Sequence, residues 1–234
     1  MVDTEAEGAP PSVVPAAPPA VPFAEPFAEP PAVSPAAPST SRGRAKADRR
    51  EALLAAAASL FARSGFNGAS IEDLGTAAGV SGPAVYRHFS GKQGVLAALL
   101  VGASEDLLAG GRAVAAENPD AAAALRALVR FHVDFALADP DVIRVQDRDL
   151  DSLAEADRHR VRALQRAYVE LWVEVLGRLH PGVDTALLRI RAHATFGLIN
   201  STPHSAVAGA SPAAVRALLE QMALTALTPT PSNP

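Results

Sequence analysis

From about residue 48 to residue 222 the apolar positions recur at spacings of three and four, and no period-two alternation of useful length interrupts them. Asp48–Ser64 reads as a first helix, with Leu53, Ala57, Leu60 and Phe61 on one stripe. Gly65-Phe66-Asn67-Gly68 closes it, with Phe66 expected in the core. Ser70 is the N-cap of a second, short helix: Glu72 and Asp73 put negative charge in its first turn, and Ile71, Leu74 and Ala78 share a face. Gly79 ends that helix, because glycine accepts the left-handed conformation common at helix C-termini. Ser81 is expected to cap a third helix, in which Pro83 is tolerated in the first turn and Val85 and Phe89 face inward.

The pattern continues in the same period. Ser90-Gly91-Lys92-Gln93 has the spacing of a capping box and opens a fourth helix, Gly91 to about Gly110. Asn118-Pro119 starts another, with Leu125, Leu128, His132 and Phe135 on one face, ending near Ala138. A short helix follows Asp139-Pro140, and a long one runs from about Asp151 through Val161, Leu164, Tyr168, Leu171 and Val175 until His180-Pro181-Gly182 breaks it. Asp184 caps the next, which carries Leu187, Ile190, Ala194 and Leu198 to Asn200. Ser211-Pro212 starts the last, with Val215, Leu218, Leu219 and Met222. The fold class is therefore all-α.

Composition changes the picture at the N-terminus. Met1–Ser41 holds five carboxylates and no basic residue, is dominated by Pro, Ala and Val, and repeats Pro22-Phe23-Ala24-Glu25 as Pro26-Phe27-Ala28-Glu29. Prolines at that density fix φ and delete backbone donors, so the segment is expected to be disordered or polyproline-like. No basic start leads into an unbroken apolar run, so a secretory signal is not expected. Such a tail fits either a shield for a basic surface, a partner-recruiting segment, or a plain solvated extension. The chain has no cysteine, hence no disulfide framework and no thiolate metal site, consistent with a cytoplasmic location. No run reaches the 18 apolar residues of a membrane span.

The net charge of −4 looks wrong for a nucleic-acid binder until it is mapped by segment. Between Arg42 and Lys92 eight cationic side chains face four carboxylates, a local +4. Arg42, Arg44, Lys46, Arg49 and Arg50 precede two short helices that meet at a glycine turn, which is the layout of a helix-turn-helix. In that unit the second helix enters the major groove, and phosphate contacts supply most of the non-specific affinity. The arginine run reads as a phosphate or minor-groove arm, led by Arg42 and Arg44. Gly82, Pro83 and Ala84 stand where base edges are reached, beside Ser81; they are too small for paired hydrogen bonds to a base, which leaves close approach or contact with a thymine methyl. Arg87 and the arm then carry more of the recognition.

The string Gly65-Phe66…Ser70-Ile71-Glu72-Asp73-Leu74…Ala78-Gly79-Val80-Ser81…Tyr86-Arg87-His88-Phe89-Ser90-Gly91-Lys92…Leu96 resembles the DNA-binding end of the TetR family of bacterial transcriptional regulators, over roughly residues 47–100. The family often carries Lys or Arg, Gly and Thr where this chain has Gly82, Pro83 and Ala84. The resemblance implies phosphate contacts from Tyr86 and Lys92, a phosphate at the helix end of Ser70, and His88 oriented on the backbone. It implies a head spanning residues 42–92, with the helix-turn-helix at 70–89, then a ligand-binding and dimerisation body over 93–228 and a flexible end at 229–234. The fourth helix would link head to body. The last two long helices, with Ala192, Ala194, Gly197, Ala213 and Ala214, are the expected homodimer interface, and a twofold dimer would bind a palindromic double-stranded operator.

Phe131, His132, Phe135, Tyr168, Trp172 and Phe196 are candidates to line a cavity for a small-molecule effector, although each is also an ordinary core residue by type. Arg144, Arg148 and Arg158-His159-Arg160 would meet an anionic ligand or be simply solvated. No cofactor is implied. Two other classes fit an all-α chain: an enzyme, or a protein-interaction module. Against the first, the six histidines show no His-Glu-x-x-His spacing, and no Gly-x-Ser-x-Gly, P-loop or Gly-x-Gly-x-x-Gly is present. Asp147, Asp149 and Asp151 lie among arginines that can pair with them.

Overall fold

The computed structural model describes residues 41–202 and 209–228. The expectations for residues 1–40 and 229–234 lie outside the described residues. Among those described, the order is α1 (Ser41–Gly68), α2 (Ile71–Ala77), α3 (Gly82–Val85), α4 (Lys92–Ala116), α5 (Ala121–Ala138), α6 (Pro140–Asp149), a 3₁₀ turn (Leu150–Ser152), α7 (Glu155–Leu179), α8 (Thr185–Asn200) and α9 (Pro212–Leu227), with no strand. The fold is all-α, as the periodicity requires.

Several boundaries differ from the sequence reading. Helix α1 begins at Ser41, so the arginine run lies on helical turns and is not an extended arm. Alanine and arginine are strong helix formers, and no proline stands in the way. Arg42 belongs to the first of these turns, while Arg44, Lys46, Arg49 and Arg50 are exposed on the next two. Helix α4 is capped by Gly91 at φ 117, not by a Ser90 side chain, and extends to Ala116. Asp120, not Asn118, caps α5 by accepting from the Ala123 N–H at 2.7 Å. Helix α7 starts at Glu155 because Leu150–Ser152 forms the 3₁₀ turn. Asp184 and Ser211 cap α8 and α9 as expected.

The buried side chains form two cores. In the first, Leu53, Ala57 and Phe61 of α1 meet Ile71, Leu74, Val85 and Phe89 from the next two helices and Val95, Leu96 and Leu100 of α4; Val142 and Val145 of α6, with Leu153 and Val161, close it. The second joins Leu108 of α4 to Leu125, Leu128, Trp172, Leu176, Leu188, Ile199, Leu219 and Leu227 of the remaining helices. Helix α4 thus runs through both. It is long and apolar enough to cross a membrane, but Leu96 and Leu100 are fully buried and Glu105 and Asp106 sit at its middle.

Candidate nucleic-acid interface and effector cluster

The turn between α2 and α3 is built from backbone. Val80 donates to the Gly75 carbonyl at 2.8 Å, and Gly79 takes φ 67, the left-handed conformation expected of it. At the start of α2, the Asp73 N–H donates to Ser70 Oγ at 3.0 Å and the Ser70 N–H donates to Asp73 Oδ2 at 2.9 Å, a reciprocal capping box. The hydrogen bonds from Ser70 hold the Asp73 carboxyl below its ordinary range. The Ser70 hydroxyl is therefore engaged within the protein, and only its helix end faces outward. Ser81 occupies the N-cap of α3 in extended conformation, but its hydroxyl makes no capping bond.

Helix α3 is one turn long and continues as turns, with Arg87 donating to Ala84 and His88 to Val85. Ser81, Pro83, Tyr86 and Arg87 are exposed and Gly82 is half-buried. Tyr86 is a large aromatic left 60% exposed. Ala84 is turned inward and only 6% exposed, so it is withdrawn from the face on which a base edge would lie. Lys46, Arg49, Arg87 and His88 border a concavity of about 500 Å³ between α1 and α3. His88 Nδ1 is buried there without a partner. Burial first, and then the charges of Lys46, Arg87, Arg49 and Arg50, push the His88 pKa down. Arg50 itself lies 5.1 Å over the Phe89 ring.

Lys92 is half-buried and engaged within the protein. Its ammonium donates to the carbonyls of Phe66 and Ala69, each at 2.9 Å, and lies 4.4 Å from the Phe66 ring centre. Two of its three donors hold the α1–α2 junction, a bracing role the sequence did not reveal. The arginines considered for an anionic ligand are also engaged: Arg144 pairs with Asp141 at 2.9 Å, Arg158 approaches Asp151 at 3.9 Å, and Arg160 pairs with Glu105.

In the body, the structure brings most of the aromatic candidates together. The His132 ring lies 4.9 Å from Phe196, 5.7 Å from Tyr168, 6.0 Å from Trp172 and 6.2 Å from Phe135, centre to centre. Phe131 sits at the edge against α4, where a β-carbon on Gly110 would stand 2.3 Å from its Cζ. His132 Nε2 meets Asn200 Oδ1 at 3.1 Å, and the Tyr168 hydroxyl lies 3.4 Å from His132 Nδ1. Burial pushes the His132 pKa down to about 4, against the opposing Asn200 hydrogen bond, and pushes Tyr168 up. The cluster is thus uncharged at neutral pH. The Trp172 N–H is fully buried; it makes no well-formed hydrogen bond and is directed at the Tyr168 hydroxyl, whose pKa it lowers against the effect of burial. Asn200 escaped sequence reasoning because a single polar residue at a helix end carries no pattern.

The described surface of α8 and α9 carries exposed Leu187, Ile190, Leu218 and Met222. Ala194, Gly197, Ala213 and Ala214 are exposed as well, whereas Ala192 is fully buried in the body core and faces away.

Comparison with known proteins agrees with this geometry. The tetR family of bacterial regulatory proteins matches residues 53–99, and the tetracyclin repressor-like C-terminal domain matches residues 118–204. The HTH-type transcriptional repressor KstR2 of Rhodococcus jostii is 30% identical over 132 residues, 56% of this chain and 65% of that protein. The HTH-type transcriptional activator FasR of Mycolicibacterium smegmatis is 35% identical over 88 residues, 38% of this chain and 40% of its own length. The chain thus spans under two thirds of either relative. A TetR-family regulator structure from Bordetella parapertussis superimposes with a TM-score of 0.67 at 27% identity, covering 75% of this chain and 93% of that one. Turn, cap, exposed tyrosine and helical body coincide with these matches, and the chain belongs to the TetR family of bacterial regulatory proteins.

Proposed function

We propose that this protein is a cytoplasmic, homodimeric transcriptional repressor whose two heads bind a palindromic operator and whose body releases it when a small molecule enters. The observation that carries the DNA-binding reading is the open face of Ser81, Pro83, Tyr86 and Arg87 beside the concavity that the cations Lys46 and Arg49 share with His88. Tyr86 and Arg87 then contact phosphate, Gly82 and Pro83 allow close approach to the groove floor, and the cations of α1 track the backbone. The exposed apolar faces of α8 and α9 support a twofold four-helix interface.

The effector site in this reading is the aromatic cluster. The fully buried Trp172 N–H has the Tyr168 hydroxyl before it but makes no well-formed bond, so an entering acceptor atom would improve its pairing. The uncharged His132 and Tyr168 around it favour a neutral, largely apolar molecule carrying a carbonyl or ether oxygen. The α4 backbone abuts this cluster at Gly110 and Gly111, so separating the rings biases the helix that reaches the head; release follows as a population shift.

The test is a salt series of fluorescence-anisotropy titrations against promoter DNA flanking the gene, with scrambled DNA as control. Specific binding should weaken steeply with salt, and Tyr86→Ala should shallow the log–log slope by about one per phosphate contact removed. Equal weak binding to promoter, to scrambled DNA and to every duplex in a random-sequence pool would overturn the reading.

A further inference from the structure

Helix α1 does not end smoothly. Gly65, at φ 76 and ψ 157, breaks its ladder near the C-terminal end. A break of this kind leaves carbonyls on one side and an N–H on the other in need of outside partners. Two consecutive residues at the end of α6 supply them. The Arg148 guanidinium donates to the Phe61 carbonyl and, at 3.3 Å, to the Ala62 carbonyl. Asp149 Oδ2 accepts from the Phe66 N–H at 3.2 Å. The two side chains also pair with each other, Arg148 Nη2 standing 3.1 Å from Asp149 Oδ2.

The site is specific in its parts. Asp149 is 6% exposed, and a buried carboxylate persists only where it is paired and hydrogen-bonded. The guanidinium carbon lies 3.7 Å from where a Gly65 β-carbon would stand, so the break and the clamp fit each other. From the other side, Lys92 holds the Phe66 and Ala69 carbonyls. The earlier part of α1, at Leu54 and Ala58, borders instead an open groove of about 850 Å³ that reaches Val101, Glu105 and Arg160. Arg148 and Asp149 thus fasten the end of α6 to the broken end of α1.

We propose that Arg148 and Asp149 are positioning residues for DNA reading. By fixing the break in α1 they set the direction in which α2 and α3 leave it. This rests on the regulator reading above.

Arg148→Gln and Asp149→Asn remove charge at nearly constant size, and Arg148→Lys serves as the conservative variant. Each full-length protein would be titrated against a duplex selected by the wild type from a random-sequence pool and against scrambled DNA, with hydrogen exchange followed by mass spectrometry. The expected result is a loss of roughly tenfold in specific affinity at unchanged scrambled binding and dimer mass. Partial recovery in Arg148→Lys, and faster exchange across 66–89 with α8 and α9 unaffected, are expected with it. Wild-type affinity in both charge-removing variants, or specific and scrambled binding falling together with the melting temperature, would overturn the proposal. If the wild type selects no duplex, the regulator reading fails separately, and the exchange data still decide the joint: unaltered exchange across 66–89 rules it out, and acceleration there supports it.

Discussion

A β-carbon on Gly75 would stand 2.8 Å from the amide nitrogen of Gly82, with the Val80 carbonyl oxygen at 2.9 Å. Helix α2 crosses the start of α3 so closely that backbone touches backbone. Neither neighbour is a flexible side chain that can swing away. Gly75→Ala is therefore expected to destabilise the head by about 1–3 kcal/mol despite the better helix propensity of alanine. Thermal melts followed by circular dichroism would check it, and specific DNA binding should fall with the melt. A variant as stable as wild type would show that the two helices separate at little cost.

Two glycines of α4 should respond with opposite sign. At Gly111 a β-carbon would meet Tyr168 Cε2 at 2.5 Å, inside the aromatic cluster, whereas at Gly102 nothing lies within 4 Å. Gly102→Ala is expected to stabilise by up to about 1 kcal/mol through helix propensity alone. Gly111→Ala is expected to destabilise by about 1–2 kcal/mol, overpacking outweighing propensity. Urea melts of the two variants side by side would read the difference.

The buried His132 predicts an acid dependence of stability. Its pKa is depressed to about 4 in the folded chain against an ordinary 6.5. Between those values the unfolded chain binds a proton that the folded chain refuses, so stability is complete above 6.5 and declines as pH falls towards 4. The full loss is about 3 kcal/mol for a group this deeply buried. His132→Gln should flatten the dependence over that window. A wild-type curve already flat from pH 6.5 to 4 would mean the imidazole finds water or a carboxylate on protonation.

The exposed faces of α8 and α9 predict an oligomeric state. Ile190 is 63% and Leu218 55% exposed. Ile190→Glu combined with Leu218→Glu should convert a dimer to a folded monomer by light scattering, because two charges would be buried in an apolar contact. Half-site affinity would remain and operator affinity would drop. A double variant that stays dimeric would place the interface elsewhere.

Local features with a single cause were legible beforehand. Gly79 had to accept positive φ, Ser70 had to cap α2, and the three-to-four spacing had to give helices; each depends on neighbours within a few residues. Features that depend on residues far along the chain were not. Lys92 reads as a surface lysine until Phe66 and Ala69 are brought under it, and Asp149 reads as one of several acids until the broken α1 presents an N–H. Ala84 had no period to reveal its direction, since α3 is a single turn. Ala192 resembled an interface alanine because α8 is apolar on two sides, with Leu188, Thr195 and Ile199 sharing its buried face and Leu187, Ile190 and Ala194 on the other.

The body holds the chain's single tryptophan, Trp172, sealed among Phe196, Tyr168 and His132. Its intrinsic emission comes from one position alone, short in wavelength because water is excluded, and no second indole dilutes it. A compound that entered the cluster would change that spectrum in the unlabelled native protein, whether or not DNA is present. A library can therefore be screened optically before a single operator sequence is known.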